Sequence, residues 1–200
     1  MINAISVDDH QMISFGLEKV FSETSDIRLA GFCKTKSELV KFVESMKSDD
    51  FENLIAMIDI KLEDESGFDC ADFLVERGIK CLMYSSFSNA SFIVKTMEHK
   101  IKGFLSKNAD KNEILEAVHA LARGEIYIQK DLISSMMYVS GIMVTLSKKE
   151  REFLDLIAEH LPNEEIAGRL NLSKRTVENY VSRLFDKFNV KNRYELEKLL

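Results

Sequence analysis

Five side chains suited to handling phosphate or a hard metal ion stand at the ends of short apolar runs in the first half of the chain. Ile2 to Val7 leads into Asp8 and Asp9, Leu54 to Ile58 into Asp59, Cys81 to Tyr84 into Ser85, and Ile101 to Leu105 reaches Lys107. In an open parallel sheet the ligand crevice lies outside the carboxyl ends of the strands, so residues far apart in sequence converge there. Mg²⁺ takes one or two carboxylates together with water and a phosphate oxygen, and Asp8, Asp9 and Asp59 offer such a cradle. An Asp held near Mg²⁺ can act as a nucleophile and take up a phosphoryl group as an acyl phosphate. Charge gathering on the equatorial oxygens then needs a cation and a donor, which Lys107 and Ser85 supply. Taken singly, Asp59 reads as a cap or turn residue, Lys107 as a solvated charge and Ser85 as a turn residue. Their joint order along the strands argues for a site.

The elements that must position these residues follow from the hydrophobic pattern. From Met1 to about Arg123, short buried-strand runs alternate with segments of helical period, the pattern of a βαβ series. Strands are expected near 2–7, 28–33, 53–59, 80–85 and 102–106. Between them Met12, Ile13, Phe15, Leu17, Val20 and Phe21 suit one helix face, Leu39, Val40, Phe42, Val43 and Met46 another, and Ile114, Leu115, Val118 and Leu121 the last. Five strands and five helices fit the space. Gly124 to Thr145 is apolar and methionine-rich, with a short helix expected at 131–138; a free linker would be more polar, so it should pack against something. Four helices follow in the remaining residues. Ser147 with Glu150 makes a capping box, Asn163 after Pro162 is a cap, and Ser173 and Asn192 open the last two helices. The division is 1–124, a linker with a short helix at 125–144, and 145–200.

Composition sets limits on these readings. Two hundred residues can bury a core without disulfides. With no run of eighteen uncharged apolar residues and no basic-then-apolar leader, neither a membrane span nor a signal peptide is expected, which points to a cytoplasmic protein. Cys33, Cys70 and Cys81 lack C-x-x-C spacing and read as buried small hydrophobes. The net charge of −6 is uneven: residues 145–200 carry 11 Lys and Arg against 10 Asp and Glu, leaving the acidic excess to the first part. The two parts do different jobs.

The first part resembles the receiver domains of bacterial two-component response regulators. ISVDDH, MIDI with Gly67 eight residues after its Asp, LMYSS and GFLSK match that family in order and spacing. The resemblance implies a flavodoxin-like, five-stranded parallel (βα)5 receiver. It also implies Asp59 as phosphoacceptor, Asp8, Asp9 and Asp59 as metal-binding acids for Mg²⁺ with the backbone carbonyl of Lys61, Ser85 as switch hydroxyl, Lys107 as phosphate-binding Lys and Phe104 as the aromatic that moves inward on activation. Two departures stand out. Leu62 and Glu63 replace a frequent Met-Pro, beside the acidic loop Glu63-Asp64-Glu65, and His99-Lys100-Ile101 replaces an Ala-Gly-Ala turn. Losing Gly at a helix C-terminus removes the residue best suited to positive φ, at about 1 kcal/mol. His10 and His99 read as surface helix residues.

In the second part, Phe153, Leu154, Leu156 and Ile157 with Leu146 form one apolar face, Ile166, Ala167 and Leu170 a second, and Val177, Val181, Leu184 and Phe188 a third. On its own that is a small helical bundle. Residues 173–193 add Lys174, Arg175, Arg183, Lys187, Lys191 and Arg193 against only Glu178 and Asp186, the footprint of phosphate-backbone binding. A helix at 164–170, a turn through Asn171 and Leu172, and a helix capped by Ser173 make a helix-turn-helix whose second helix suits the major groove. The stretch resembles the output domain of the LuxR-type, or NarL/FixJ, regulators. That resemblance places Lys174, Arg175 and Thr176 on phosphates, turns Glu178, Asn179, Ser182 and Arg183 toward DNA, gives Lys187 a part in docking, and makes the helix from Arg193 to Leu200 the dimerisation surface. Glu178 and Tyr180 stand where many members have Lys and His. Glu178 either accepts from cytosine N4 or merely repels phosphate, while Asn179 suits adenine.

The expected function is that of a response regulator, not an enzyme: a histidine kinase phosphorylates Asp59, the receiver shifts, and a homodimer binds promoter DNA. One alternative is a receiver acting as a phosphorylation-independent interaction module on a constitutive DNA-binding protein. Another is an aspartyl-phosphate enzyme such as a phosphatase; Lys61, where a second Asp would be needed, weighs against it, as does the helix-turn-helix.

Overall fold

The computed structural model describes residues 1–199; Leu200, the end of the helix predicted from Arg193, lies outside the described residues. The chain divides into two compact units, Met1–Ser88 with Lys95–Asp131, and Asn89–Val94 with the residues from Leu132 onward.

As far as Ile128 the chain runs through β1 (Ile2–Val7), α1 (Gln11–Ser22), β2 (Ile27–Cys33), α2 (Lys36–Glu44), β3 (Leu54–Ile58), α3 (Gly67–Val75), β4 (Lys80–Ser85), α4 (Ala90–Glu98), β5 (Gly103–Ser106), α5 (Lys111–Ala122) and β6 (Tyr127–Ile128), all in the first unit except α4, which is divided between the two. The strands are all parallel in the order β2-β1-β3-β4-β5-β6. The sheet therefore has six strands where five are expected. β6 is two residues long, paired with Gly103 and Phe104, and too short to show a period. The order reverses between β1 and β3, the switch point at which α/β ligands bind. Val7 pairs with Ile58, Ile58 with Met83, and Ser85 with Ser106, so the four strand ends that carry the chemistry are level.

β3 is buried at all five positions, which is why it reads as an unbroken apolar run. The helices cover this sheet with narrower faces than the sequence suggests. α1 buries Ser14, Leu17 and Phe21, while Met12 and Phe15 are 76% and 52% exposed. At about 100° per residue both stand well away from Leu17, so the six-residue apolar face expected for α1 is too broad. α2 opens on Thr35 and α5 on a complete Asp110–Glu113 capping box. The three cysteines are free and buried. Burial pushes the Cys33 thiol up to about 11 and the Cys70 thiol to about 12, with Cys81 higher still, so these are inert packing groups.

The second unit contains α6 (Ile133–Met143), α7 (Lys148–Ala158), α8 (Asn163–Leu170), α9 (Lys174–Phe188) and α10 (Arg193–Leu199). α6 is longer than the expected short helix and begins later. It buries Val139 and Met143, and Tyr138 Oη donates to the Phe188 carbonyl at 2.9 Å. Arg151 Nη2 donates to the Met143 carbonyl at 2.8 Å, holding the end of α6 to α7. The apolar segment is thus a fifth helix of this unit. Phe153, Ile157, Ile166, Val177, Leu184, Phe188 and Leu196 form its core. Ser147 and Glu150 complete their capping box, and Ser173 and Asn192 accept from the backbone N–H of Thr176 and Glu195. Asn163 does not cap α8. Pro162 holds that position in an extended conformation, and Asn163 Oδ1 instead accepts from Arg193 Nη1 at 3.0 Å. Among the described residues no helix is long and apolar enough to cross a membrane.

Two backbone positions bear on the site. At the end of α4, Lys100 has φ +61, the left-handed conformation that glycine adopts most readily. At the start of α3, a Cβ on Gly67 would lie 1.7 Å from the Asp59 carbonyl oxygen, so only glycine lets the helix sit against the Asp59 backbone. Denaturant titration should accordingly show Lys100→Gly stabilising the protein by about 1 kcal/mol. Gly67→Ala should destabilise it by about 1–3 kcal/mol, the usual cost of overpacking; an unchanged midpoint in either variant would show that the local backbone relaxes freely.

Candidate functional site

The main chain beyond the strands continues the sheet ladder. Asp59 N–H donates to the Val7 carbonyl, Asp8 N–H to Cys33 and Lys107 N–H to Ser85, each at 2.9 Å. These bonds fix the Cα positions from which the side chains converge. Lys107 Nζ lies 2.7 Å from Asp8 Oδ2 and 2.6 Å from Asp59 Oδ2, with its side chain 8% exposed. Burial alone would depress this ammonium, but the hydrogen bonds and charges of Asp59 and Asp8 outweigh it and hold its pKa above the usual lysine value. Ser85 Oγ donates to Asp59 Oδ1 at 2.5 Å and accepts from the Phe87 N–H at 3.3 Å. Both Asp59 oxygens are therefore oriented, and each keeps a further lone pair toward the crevice.

That crevice is a 440 Å³ cavity lined by Asp9, His10, Asp59, Lys61, Phe87 and Lys107, with Met12 and Leu62 at its edge. Ligating atoms of Asp8, Asp9, His10 and Asp59 all lie within 4.8 Å of one another. Asp9 Oδ1 has only the largely exposed His10 imidazole close by, Nδ1 at 2.7 Å, so three carboxylates converge here with Lys107 as their buried cation. The donor set is hard and oxygen-rich, which fits Mg²⁺. Lys61 stands beside the cavity with its main chain bridged to Ser66. All the strand-end residues singled out from sequence are thus brought together.

Phe104, on β5, is fully buried. Gly67, His10 and His99 have roles here that the sequence does not announce. His10 turns to Asp9 and Asp8, and His99 Nδ1 lies 2.7 Å from Asp72 Oδ1. Only the strand-end position of the acids could have signalled the first, and nothing local signals the second.

In the second unit α9 buries Val177, Val181, Leu184 and Phe188 and exposes Lys174, Arg175, Glu178, Asn179, Ser182 and Arg183. The turn before it is tight because Asn171 adopts φ 52 and the Leu172 N–H reaches the Ala167 carbonyl. Not every basic residue is equally available. Lys174 Nζ is 2.5 Å from Glu164 Oε1. Thr176 is engaged in the Ser173 cap. Lys187 Nζ lies 2.9 Å from Glu150 and donates to the Thr145 carbonyl at 3.1 Å. Hydrogen bonds from Ser147 and Lys187 hold the Glu150 carboxyl down to about 2, so Lys187 is a structural clasp rather than a free cation. Among the described residues no carboxylate pairs with Arg175, and Arg183 lies 5.5 Å over the Tyr180 ring. Arg193 Nη2 and Nη1 tie α10 to Leu161 and Asn163.

Two family profiles together match most of the chain. Residues 4–119 match the family profile described as response regulator receiver domain, and residues 144–199 match bacterial regulatory proteins, luxR family. The chain is 26% identical to the transcriptional regulatory protein DesR of Bacillus subtilis, covering 98% of this chain and 94% of DesR. It is 25% identical to the nitrate/nitrite response regulator protein NarL of Escherichia coli K12, covering 94% and 90%. RcsB of Salmonella enterica serovar Typhimurium, solved bound to promoter DNA with phosphomimetic BeF3⁻, shares the fold at a TM-score of 0.72 and 21% identity, over 99% of this chain and 97% of that one. The chain belongs to the NarL/FixJ family of two-component response regulators, DNA-binding transcription regulators that join a receiver domain to a LuxR-type helix-turn-helix domain.

Proposed function

We propose that Asp59 is the phosphoacceptor through which a histidine kinase controls DNA binding by this chain. The observation that carries the reading is the oriented, buried Asp59 carboxylate, held by Ser85 on one oxygen and Lys107 on the other. In the transfer an Asp59 oxygen forms the new bond to phosphorus while the phosphorus–nitrogen bond to the kinase histidine breaks, and the imidazole leaves with the electron pair. Asp8, Asp9, Asp59 and the Lys61 carbonyl would hold Mg²⁺, which neutralises charge on the phosphoryl oxygens. Lys107 exchanges part of its contact with Asp59 for a phosphoryl oxygen, and Ser85 turns its hydroxyl from carboxylate to phosphoryl group.

Phosphorylation adds charge and acceptor oxygens where these two donors sit. Ser85 ends β4, and Phe104 lies in β5 beside it. Because Phe104 is already buried and Ser85 already faces Asp59, the phosphoryl group acts by further populating an arrangement the chain can adopt unaided. Its leverage is the difference in contacts between the two states. The receiver then promotes a homodimer, and pairing two weak DNA modules raises affinity through effective concentration. Half-sites about one helical turn apart suit such a symmetric dimer. α9 is the recognition helix in this scheme, with Arg175 on phosphate and Asn179 toward base edges.

Intact mass after incubation with Mg²⁺ and a small phosphodonor should show one added phosphoryl group in the wild type and none in Asp59→Asn, with tighter promoter binding only in the wild type. Promoter affinity and oligomeric state that ignore Asp59→Asn would instead make the receiver a constitutive module. Arg175→Ala should weaken binding on all sequences and reduce the salt dependence by roughly one phosphate contact. Asn179→Ala should relax preference at one base position, at about 1–3 kcal/mol. Equal behaviour of the two variants across salt would put the recognition helix elsewhere.

A further inference from the structure

A second cavity, of 240 Å³, lies at the end of the sheet opposite Asp59. Lys80 opens β4 and Lys102 directly precedes β5, so the cavity sits beyond the amino ends of the strands whose carboxyl ends carry Ser85 and lead to Lys107. Ile79, Cys81 and Ile101, all buried, give it an apolar lining, and Lys80, Lys100 and Lys102 line it as well. Among the described residues no carboxylate lies within ion-pair distance of any of these three lysines, although they belong to the part of the chain that carries the acidic excess.

A simpler account would make the lysines caps for helix ends. α3, α4 and α5 all finish here, in the left-handed residues Gly78, Lys100 and Gly124. Lys80 Nζ donates to the Glu52 and Ala122 carbonyls at 2.8 and 3.1 Å, and Lys102 Nζ to the Gly124 carbonyl at 3.1 Å. A helix C-terminus carries about half a negative charge, so three of them offset roughly half the charge of three ammonium groups. Each ammonium has three donors. Lys80 and Lys102 therefore keep donors in reserve, and Lys100, whose ammonium pairs with nothing among the described residues, keeps all of its own. Lys100 also holds a φ of +61 that glycine would adopt at less cost. Capping thus leaves an excess of positive charge beside an apolar surface.

We propose that this cavity binds a small organic anion, a compact apolar body against Ile79, Cys81 and Ile101 with a carboxylate head among Lys80, Lys100 and Lys102. Ligand pockets are mostly apolar with a few polar groups that fix orientation, which is the composition found here. The volume lies below the roughly 300 Å³ at which pockets for drug-sized ligands begin, too small for a nucleotide and suited to a single ring. The inference is independent of the reading of Asp59 as phosphoacceptor.

Full-length ¹⁵N-labelled protein titrated with benzoate at constant ionic strength, beside benzyl alcohol as the uncharged counterpart, tests this. Benzoate should move the amide resonances of Gly78, Lys100, Lys102 and Gly124 saturably, and benzyl alcohol should leave them in place. Lys100→Gly removes the ammonium at a position where glycine favours the backbone, so the variant folds. Its benzoate affinity should fall by about tenfold, the worth of one hydrogen bond to a charged group, and Lys102→Gln should lower it as well. Shifts that never saturate, that benzyl alcohol reproduces, or that centre on Asp59 and Lys107 would overturn the proposal. So would an affinity left unchanged in both lysine variants.

Discussion

Lys107 is a buried ammonium with two carboxylates within hydrogen-bond distance, and most of the receiver's architecture serves to put it there. A buried charge is costly unless paired, and Asp8 and Asp59 supply the pairing at 2.7 and 2.6 Å from strands on either side of the topological switch. The arrangement also contains its own excess. Asp8, Asp9 and Asp59 outnumber Lys107, and the contact on Asp9 Oδ1 is the largely exposed His10 imidazole at 2.7 Å. The cluster is therefore short of positive charge, which favours a divalent ion, and holds a cation and a hydroxyl ready for phosphoryl oxygens. One constraint thus explains both what the site would bind and how it would register the result.

The helical unit solves a simpler problem. Its core uses one face of α9, and the requirement that Val177, Val181, Leu184 and Phe188 point inward leaves Arg175, Asn179, Ser182 and Arg183 on the outside. The Ser173 cap and the left-handed Asn171 set the angle at which that face is presented. The intramolecular pairs reduce the free positive charge: Lys174 is matched by Glu164 and Lys187 by Glu150.

The strand ends were legible in the sequence because parallel strands buried on both faces leave continuous apolar runs, and the residue after each run is fixed by the sheet rule. The helix-turn-helix was legible through its caps, where Ser147, Ser173 and Asn192 act as read. What escaped is tertiary in origin. β6 is defined only by pairing with Gly103 and Phe104. The breadth of α1's buried face depends on how the helix lies on the sheet, which Met12 and Phe15 could not reveal. Gly67 is required by a carbonyl eight residues earlier, and nothing in the basic run around Lys187 signals its partner Glu150, 37 positions away. Asn163 failed as a cap because Pro162 already held the extended residue that precedes the helix.

The central claim is that Lys107 is held between Asp8 and Asp59 and transfers its contact to charge gained at Asp59. Its ¹⁵Nζ ammonium resonance reports this directly, because a buried, paired ammonium exchanges its protons slowly and shifts when its partner changes. The account predicts a protected resonance in the resting protein that moves on addition of Mg²⁺ and phosphodonor, and stays put in Asp59→Asn. A Lys107 resonance broadened by free solvent exchange, or one that ignores the phosphodonor while Asp59 is modified, would contradict it.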